Sequence, residues 1–497
     1  MIDISHSPIL TATFRNAAEM PDKTAVITTD GKEISYSTLQ RNILRCANWL
    51  YQHGISSGDR IMISAEKDVK FIYLYLAAHL IGAVNVVADA EDNASRLKHL
   101  ADIAKPAICI GIESADRRSY LYSEINLSDE LEADGQIPTY QEGNAERISP
   151  DTPADIMFTS GTTGIPKGVV LTHANIAGAA RNINSFIGNT AEDVELLCLP
   201  VSHSFGLGRL RCSLLAGATI VMHDGFANLK SVFKAFEKFH VSGLGMVPSA
   251  WAYIRRFSGN FIARYAPQLK YIEIGSAALP HEEKQLLCEL FPTTRICMHY
   301  GLTEASRAAF MELHEDKEHL DSVGKSVNGK VDIRILGKDG REATRGEMGE
   351  ICIKGDIVTP GYLDSAQNKE AFVGDYFRSG DEGYIDEVGY LYLTDRIKEI
   401  INVGGKKVSP IEIEEEVGKI SGAESVCIAA PDPDGILGEV PCLFILKDSL
   451  RMDLEELKVG LMKRLENYKL PRFFKIVDSL PLSSNGKKKR RADINLN

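Results

Sequence analysis

Hydroxyls, glycines and a single lysine crowd into the run FTSGTTGIPKGVVLTH, from Phe158 to His173. Gly161, Gly164 and Gly168 give the backbone conformations closed to other residues, so consecutive N–H groups can converge on an anion. Thr159, Ser160, Thr162 and Thr163 add hydroxyl donors, and Lys167 adds a full positive charge beside Pro166. That donor set suits a polyphosphate, and a nucleoside triphosphate is its natural guest. The run is not a Walker A loop, which needs glycine directly before the lysine and a helix directly after it. Proline precedes Lys167, and the flanks IMF and GVVLT are short apolar and β-branched runs. The sequence therefore predicts two strands joined by a mobile loop. A ligand-free glycine- and threonine-rich hairpin is the competing reading, and the length of the run with its terminal lysine weighs against it.

Three further segments carry groups that suit a nucleotide. HYGLTEAS, His299 to Ser306, offers Tyr300 to stack on a purine, Thr303 to bond a phosphate and Glu304 to hold a hard cation such as Mg²⁺. SGDEGYID, Ser379 to Asp386, offers Asp381 to the two hydroxyls of a ribose, and Arg396, fifteen residues on, to ribose or the α-phosphate. GSAALP, Gly275 to Pro280, follows the strand-like YIEI, and the small Gly275, Ser276 and Ala277 let backbone approach a flat base. For any one of them alone the ordinary tight turn, or for Glu304 a solvated loop carboxylate, is the better reading.

These groups need a large scaffold to bring them together. A chain of 497 residues exceeds what one core usually supports, so more than one domain is expected. Hydrophobic residues at 44% and charged residues at 25% exclude a disordered or fibrous chain. The net charge of -12 disfavours non-specific binding to nucleic acid. Nine scattered cysteines without a CxxC pair read as reduced, buried thiols of a cytoplasmic protein. The N-terminus lacks a basic segment ahead of a long apolar core and is no secretory signal. The longest apolar stretch, Phe71 to Val87, is broken by His79, Gly82 and Asn85 and reads as a buried helix running into a strand, so no transmembrane segment is expected.

Ile43, Leu44, Ala47, Leu50 and Tyr51 fall on one helical face, and such helices alternate with strand-like runs such as RIMIS and GAVNVV. The first four-fifths of the chain is therefore α/β. Residues 112–148 are polar and weakly periodic, a surface excursion. A boundary falls at Asp395 to Lys398, where strand-like GYLYL gives way to charged DRIKE and a Gly404-Gly405 turn. Beyond it the order helix, strand, strand, helix, strand makes a compact α+β unit of about a hundred residues. The expected organisation is a large domain over 1–394, a hinge over 395–398 and a small domain over 399–497.

TSGTTGIPKG, YGLTE, SGD, DRIKEIINVGGKKVSPIEIE and LPLSSNGKKKR, in this order, resemble the adenylate-forming superfamily of acyl-CoA synthetases, stand-alone adenylation domains and luciferases. The likeness runs from about Thr11 to Arg490. It implies a large N-terminal domain of packed α/β sheets and a small mobile C-terminal lid, with the active site between them. It implies that a carboxylate attacks the α-phosphate of ATP to give an acyl-adenylate and pyrophosphate, and that a thiol then takes the acyl group. On this resemblance the loop Thr159 to Lys167 holds the β- and γ-phosphates, Glu304 binds Mg²⁺, Asp381 takes the ribose and Tyr300 lies on adenine. Lys487, placed after glycine in the terminal motif, bridges the substrate carboxylate and the α-phosphate. Lys398 matches the hinge position, and Gly404 and Gly405 line the tunnel for a pantetheine arm, a plain β-turn being the alternative.

LPVSHSFGLG, Leu199 to Gly208, resembles the segment that walls the acyl pocket, with His203 as a gate and Ser204 and Gly208 beside it. Ser204 falls where amino-acid-activating relatives carry an aspartate for the α-ammonium, which disfavours an α-amino acid. Two positions depart from the pattern. Arg307 replaces a small residue and either pairs with a second anion on the substrate or packs at the surface. Met298 replaces a glutamine or asparagine, so adenine recognition shifts towards backbone near Gly275 to Ala277. The partner is a small carboxylic acid, and the thiol belongs to free coenzyme A or to the phosphopantetheine of a separate carrier protein. A luciferase-like oxygenase and a non-catalytic adenylate-binding protein are the remote alternatives. Retention of Lys487 and Glu304 argues against the second.

Overall fold

The computed structural model describes residues 4–114, 116–125, 127, 148–159, 166–277, 279–337, 340–396 and 401–481. One sheet of its α/β body has seven strands, in the order Gly361–Tyr362, Lys167–Thr172, Pro153–Thr159, Val84–Ala88, Arg60–Ser64, Ile108–Ile110 and Ser119–Tyr120. Arg60–Ser64 and Val84–Ala88 pair in parallel and are buried along almost their whole length. Strands without polar alternation belong where both faces are covered. The connecting helix, Val69–Ile81, is buried at every residue from Phe71 to Ile81. Asp68 caps it by accepting from the Lys70 N–H, and Gly82 ends it at φ 73°. A helix apolar all round is an internal one, and its 13 residues fall short of the roughly 20 that span a bilayer. No helix among the described residues is long and apolar enough to cross a membrane.

The second large sheet has eight strands, in the order Ala309–Glu312, Arg295–Tyr300, Tyr271–Ile274, Gly243–Met246, Val194–Leu197, Thr219–Met222, Thr24–Ile27 and Glu33–Ser35. Its parallel strands Tyr271–Ile274 and Arg295–Tyr300 run side by side, so the segments after them, Gly275 to Ala277 and Gly301 to Glu304, emerge at one edge. Crevices outside the carboxyl ends of parallel strands are where such sheets bind ligands. The helix Ser204–Ala216 lies between the two sheets, with Arg209 paired to Glu195 and Glu273 of one and Arg211 to Asp155 of the other. A third sheet joins Val331–Leu336, Gly349–Gly355, Tyr376–Ile385, Phe372–Val373 and Leu391–Arg396.

The phosphate-loop flanks pair antiparallel, Thr159 opposite Lys167 and Phe158 opposite Gly168, with no helix directly after the lysine. The next helix, His173–Ile187, starts six residues on under a Thr172 cap. On the helix Tyr36–Gln52, Ile43, Ala47 and Leu50 are buried, but Tyr51 is 62% exposed. The apolar face is therefore narrower than the periodicity suggests. Of the polar stretch 112–148, the strand Ser119–Tyr120 and the turn of helix Tyr122–Glu124 are described.

Beyond 400, the helices Pro410–Ser421 and Leu454–Met462 pack on the strands Ser425–Pro431, Glu439–Leu446 and Phe473–Val477 around a core of their own, including Ile413, Val417, Leu443 and Leu461. A two-stranded ribbon, Ile401–Val403 with Lys406–Val408, precedes them. Gly404 and Gly405 are its turn, at φ 59° and 88°, a region that favours glycine. The expected hinge overlaps residues 397–400, which lie outside the described residues.

Candidate active site

A cavity of about 900 Å³ opens where the edge of the eight-stranded sheet meets the C-terminal unit. Thr159, His203, Ser204, Ser276, Ala277, Tyr300, Thr303 and Asp381 line it from the body, and Asn402, Gly404 and Gly405 from the ribbon. Ser276 adopts φ 74°, and its carbonyl accepts 2.7 Å from Asn402 Nδ2, tying the two walls together. A Cβ on Gly404 would lie 3.3 Å from Ser249 Oγ, and one on Gly405 would lie 3.0 Å from Val247 Cγ1. Any larger residue would narrow the passage there.

In the cavity wall Tyr300 and Asp381 meet, the phenol donating to Asp381 Oδ2 at 2.8 Å. Asp381 stands opposite Arg396 in the antiparallel register, which brings the two backbones together. Glu304 is buried, and Tyr362 donates to its Oε1 at 2.8 Å. Lys167 Nζ sits 4.9 Å above the Tyr362 ring. Burial, followed by the Glu304 charge, pushes the Tyr362 phenol well above its ordinary range, so it stays a protonated donor. Tyr362 was not legible in the sequence, because only the pairing of Gly361–Tyr362 with Val169 and Val170 carries it to this corner.

This corner fits Mg²⁺. Among the described residues no group of three His, Cys, Asp or Glu assembles a closed metal cage. Magnesium in phosphoryl chemistry needs only one or two carboxylates beside phosphate oxygens. Ser160, Gly161, Thr162, Thr163, Gly164, Lys398 and Lys487 lie outside the described residues.

His203 and Ser204 line the cavity where the helix Ser204–Ala216 begins. His203 Nε2 is 3.5 Å from Asp89 Oδ2, an oxygen that also accepts from Ser202 Oγ at 2.8 Å. Gly208 does not reach the cavity wall. A Cβ there would lie 2.5 Å from Arg307 Nη1, so this glycine makes room for a guanidinium.

Arg307 is neither a surface residue nor free for a substrate anion. It is 2% exposed, with Nε 3.2 Å from Glu273 Oε1, Nη1 donating to Ser204 O and Ser306 Oγ at 3.1 Å, and Nη2 to Phe205 O at 3.2 Å. Glu273 also meets Arg209 Nη1 at 3.2 Å and His299 Nδ1 at 2.8 Å. Burial opposes its charge, yet Arg307, His299 and Arg209 together hold the carboxyl well below the usual range. None of Glu273, Arg209 or His299 stood out in the sequence, for they come together only through adjacent strands.

Residues 13–363 match the AMP-binding enzyme family, and residues 412–487 match the AMP-binding enzyme C-terminal domain. The chain belongs to the AMP-binding enzyme family, within the adenylate-forming superfamily. This AMP-binding enzyme is 30% identical to a probable CoA ligase of Humulus lupulus, with 96% of this chain and 94% of that protein covered. It is 29% identical to a long-chain-fatty-acid–CoA ligase of Mycobacterium tuberculosis, covering 91% of each. Its structure resembles o-succinylbenzoate CoA synthetase of Bacillus subtilis bound with a product analogue, at TM-score 0.83 and 26% identity over 96% of this chain and 97% of that one. The same synthetase carrying its acyl-adenylate gives 0.69 at 25% identity, with 96% of each chain covered.

Lys406 reaches Glu91 at 2.9 Å, Arg256 Nη1 donates to Asp434 O at 2.8 Å, and Asn93 Nδ2 to Arg464 O at 3.3 Å. All three contacts join the body to the C-terminal unit.

Proposed function

We propose that the protein joins a carboxylic acid to coenzyme A through an acyl-adenylate, releasing pyrophosphate and AMP. One observation carries this reading: a single cavity is lined by Tyr300 and Asp381, by His203 and Ser204, and by Gly404 and Gly405. ATP binds with its ribose on Asp381, its base against Tyr300 and the backbone of Gly275 to Ala277, and Arg396 near the ribose or α-phosphate. Its outer phosphates lie on the loop from Thr159 to Lys167. Glu304, oriented by Tyr362, holds Mg²⁺ with Thr303 beside it. The metal supplies positive charge that offsets repulsion between carboxylate and phosphate.

The acid enters past His203 with its carboxylate towards the α-phosphate, where Lys487 bridges the two anions. A carboxylate oxygen attacks the α-phosphorus and pyrophosphate leaves. The thiol then arrives between the Gly404-Gly405 turn and Ser249, attacks the acyl carbonyl and expels AMP. A small lid of residues 399–497, turning about 395–398 with Lys398 as pivot, exchanges one face for the other, and the exposed polar contacts between body and C-terminal unit, Lys406 with Glu91 and Arg256 with Asp434, suit such a movement. Ser204 offers no charge to an α-ammonium, so the acid is not an α-amino acid. The protein works in the cytoplasm, in keeping with nine free thiols, eight of them buried.

Pyrophosphate exchange into ATP should require both a simple or aromatic acid and Mg²⁺, and Lys487→Ala should abolish it while ATP still binds. Exchange with α-amino acids alone would overturn the substrate class, and full activity of the variant would overturn the lysine's role. Thioester formation with coenzyme A, set against a panel of holo carrier proteins, separates the two acceptors.

A further inference from the structure

His299 lines the cavity beside the acyl end, although nothing in the proposed chemistry uses it. Its ring is seated on three sides. Nδ1 lies 2.8 Å from Glu273 Oε1, Phe205 meets it edge-on with centroids 4.8 Å apart, and a Cβ on Gly275 would fall 2.1 Å from Cε1 and 2.2 Å from Nε2. Glycine at 275 thus gives the ring its seat. The side chain is 7% exposed; Nδ1 is fully buried, and its 2.8 Å approach to Glu273 is an ion-pair contact without the alignment of a hydrogen bond, while Nε2 is not sealed in this way. Of the two ring nitrogens only Nε2 is not sealed, and the residue lines the cavity.

The protonation of that atom follows from its surroundings. A carboxylate only accepts, so the tautomer that avoids setting two lone pairs against each other carries its proton on Nδ1 and leaves a lone pair on Nε2. The charges behind the ring already balance, Arg209 and Arg307 against Glu195 and Glu273, and a proton on Nε2 would add an unmatched cation. Burial first, with Arg307 and Arg209 adding to it, pushes the imidazole below its ordinary value against the pull of Glu273.

We infer that His299 is a specificity residue, presenting a buried acceptor that selects acids carrying a hydroxyl or N–H donor on the acyl group over acids that end in hydrocarbon or in a second carboxylate. The inference rests on reading the cavity as an acid-activating site. A donor on the substrate satisfies Nε2, a hydrocarbon leaves it stranded, and a carboxylate sets one lone pair against another. Arg307, spent on Glu273 and on carbonyls, is not there to rescue the carboxylate.

The test uses the full-length protein and matched sets of aryl and aliphatic acids, each set with an unsubstituted, a hydroxyl-bearing and a second-carboxyl-bearing member. Acid-dependent pyrophosphate exchange gives kcat/KM for every member. In at least one set the hydroxyl acid should lead both others by about tenfold or more. His299→Leu should bring that ratio to within about twofold of one, and His299→Gln, which keeps a polar acceptor near Nε2, should retain part of it. Thermal melting of both variants separates a lost preference from a lost fold. Preference for the dicarboxylic acid, no preference, or full preference in a folded His299→Leu would each overturn the inference while leaving acid activation intact. Absence of exchange with every acid would bring down the activation reading, and this inference with it.

Discussion

Arg209 and Arg211 stand two residues apart on one helix, yet they enter buried networks of opposite character. Arg211 Nε meets the Tyr75 hydroxyl at 2.9 Å and its Nη2 pairs with Asp155, which also takes Tyr75 at 2.9 Å and His79 Nε2 at 3.0 Å. Asp155 and His79 are wholly buried, and none of Arg211, Tyr75, Asp155 and His79 lines the active-site cavity. Arg209 holds Glu195 through Nε at 3.0 Å and Nη2 at 2.7 Å, and through Glu273 its network continues to Arg307 and His299, ending at the cavity wall. The first network pins the helix to the seven-stranded sheet and the second pins it to the eight-stranded one. The same kind of ion pair therefore locks the sheets in one place and aims a side chain at ligand in the other.

The contrast breaks most clearly at Asp155. Asp155→Ala leaves Arg211 buried without its charge partner and should cost about 3–5 kcal/mol in denaturant unfolding, while the folded fraction keeps its acid preference. Acid should weaken the same network. Burial, followed by His79 and His6, pushes His173 down to about 2, so its neutral ring stabilises the fold above the ordinary histidine range of about 6.5 and this is lost progressively as pH falls below it. Asp155 sits at about 2, where burial is overcome by Arg211 and His79, so its contribution is present above about pH 4 and disappears on the way down to 2. Unfolding midpoints from pH 7 to pH 3 should therefore fall more steeply for the wild type than for His173→Phe.

Glu273→Gln is the matching change on the cavity side. It should cost about 2–3 kcal/mol, less than Asp155→Ala because the amide still accepts from His299 or Arg307. Unlike Asp155→Ala it should also change which acids exchange best. If both variants altered stability alone, the distinction between a sealed and a cavity-facing network would fail.

The smallest effect belongs to the contact between body and lid. Burial, helped by Glu466 and against the pull of Arg96, raises Asp92 to about 7. A carboxyl raised on docking is protonated in the docked state, so docking is fullest at low pH and weakens as pH rises through about 7. The rate of thioester formation from enzyme-bound adenylate should therefore gain less between pH 6 and 8 in the wild type than in Asp92→Asn, by a few-fold. Parallel profiles would remove Asp92 from the interface.

Much of this architecture is legible in the sequence where the determinant is local. The strands flanking the loop, the buried helix Val69–Ile81 and the five elements beyond residue 409 follow from periodicity and turn residues. The site is legible where short motifs hold their residues close, as with Tyr300, Thr303 and Glu304. What escaped depends on strand order. Tyr362 reaches Glu304 across 58 residues, and Arg307 meets Glu273 across 34, its φ of 58° turning the chain towards a partner that no spacing rule indicates. The ribbon around Gly404-Gly405 escaped because strands of three residues leave little pattern. Tyr51 shares a helical arc with Leu50, yet that edge of the helix meets solvent.

A single-turnover experiment tests the central claim most directly. Excess enzyme with ATP, Mg²⁺ and an exchange-active acid, but no thiol, should yield a species with the mass of the acid joined to AMP, together with one equivalent of pyrophosphate. Coenzyme A added afterwards should convert that species to a thioester and free AMP. Formation of ADP and an acyl phosphate, or a thioester arising with no AMP-linked species before it, would contradict the account.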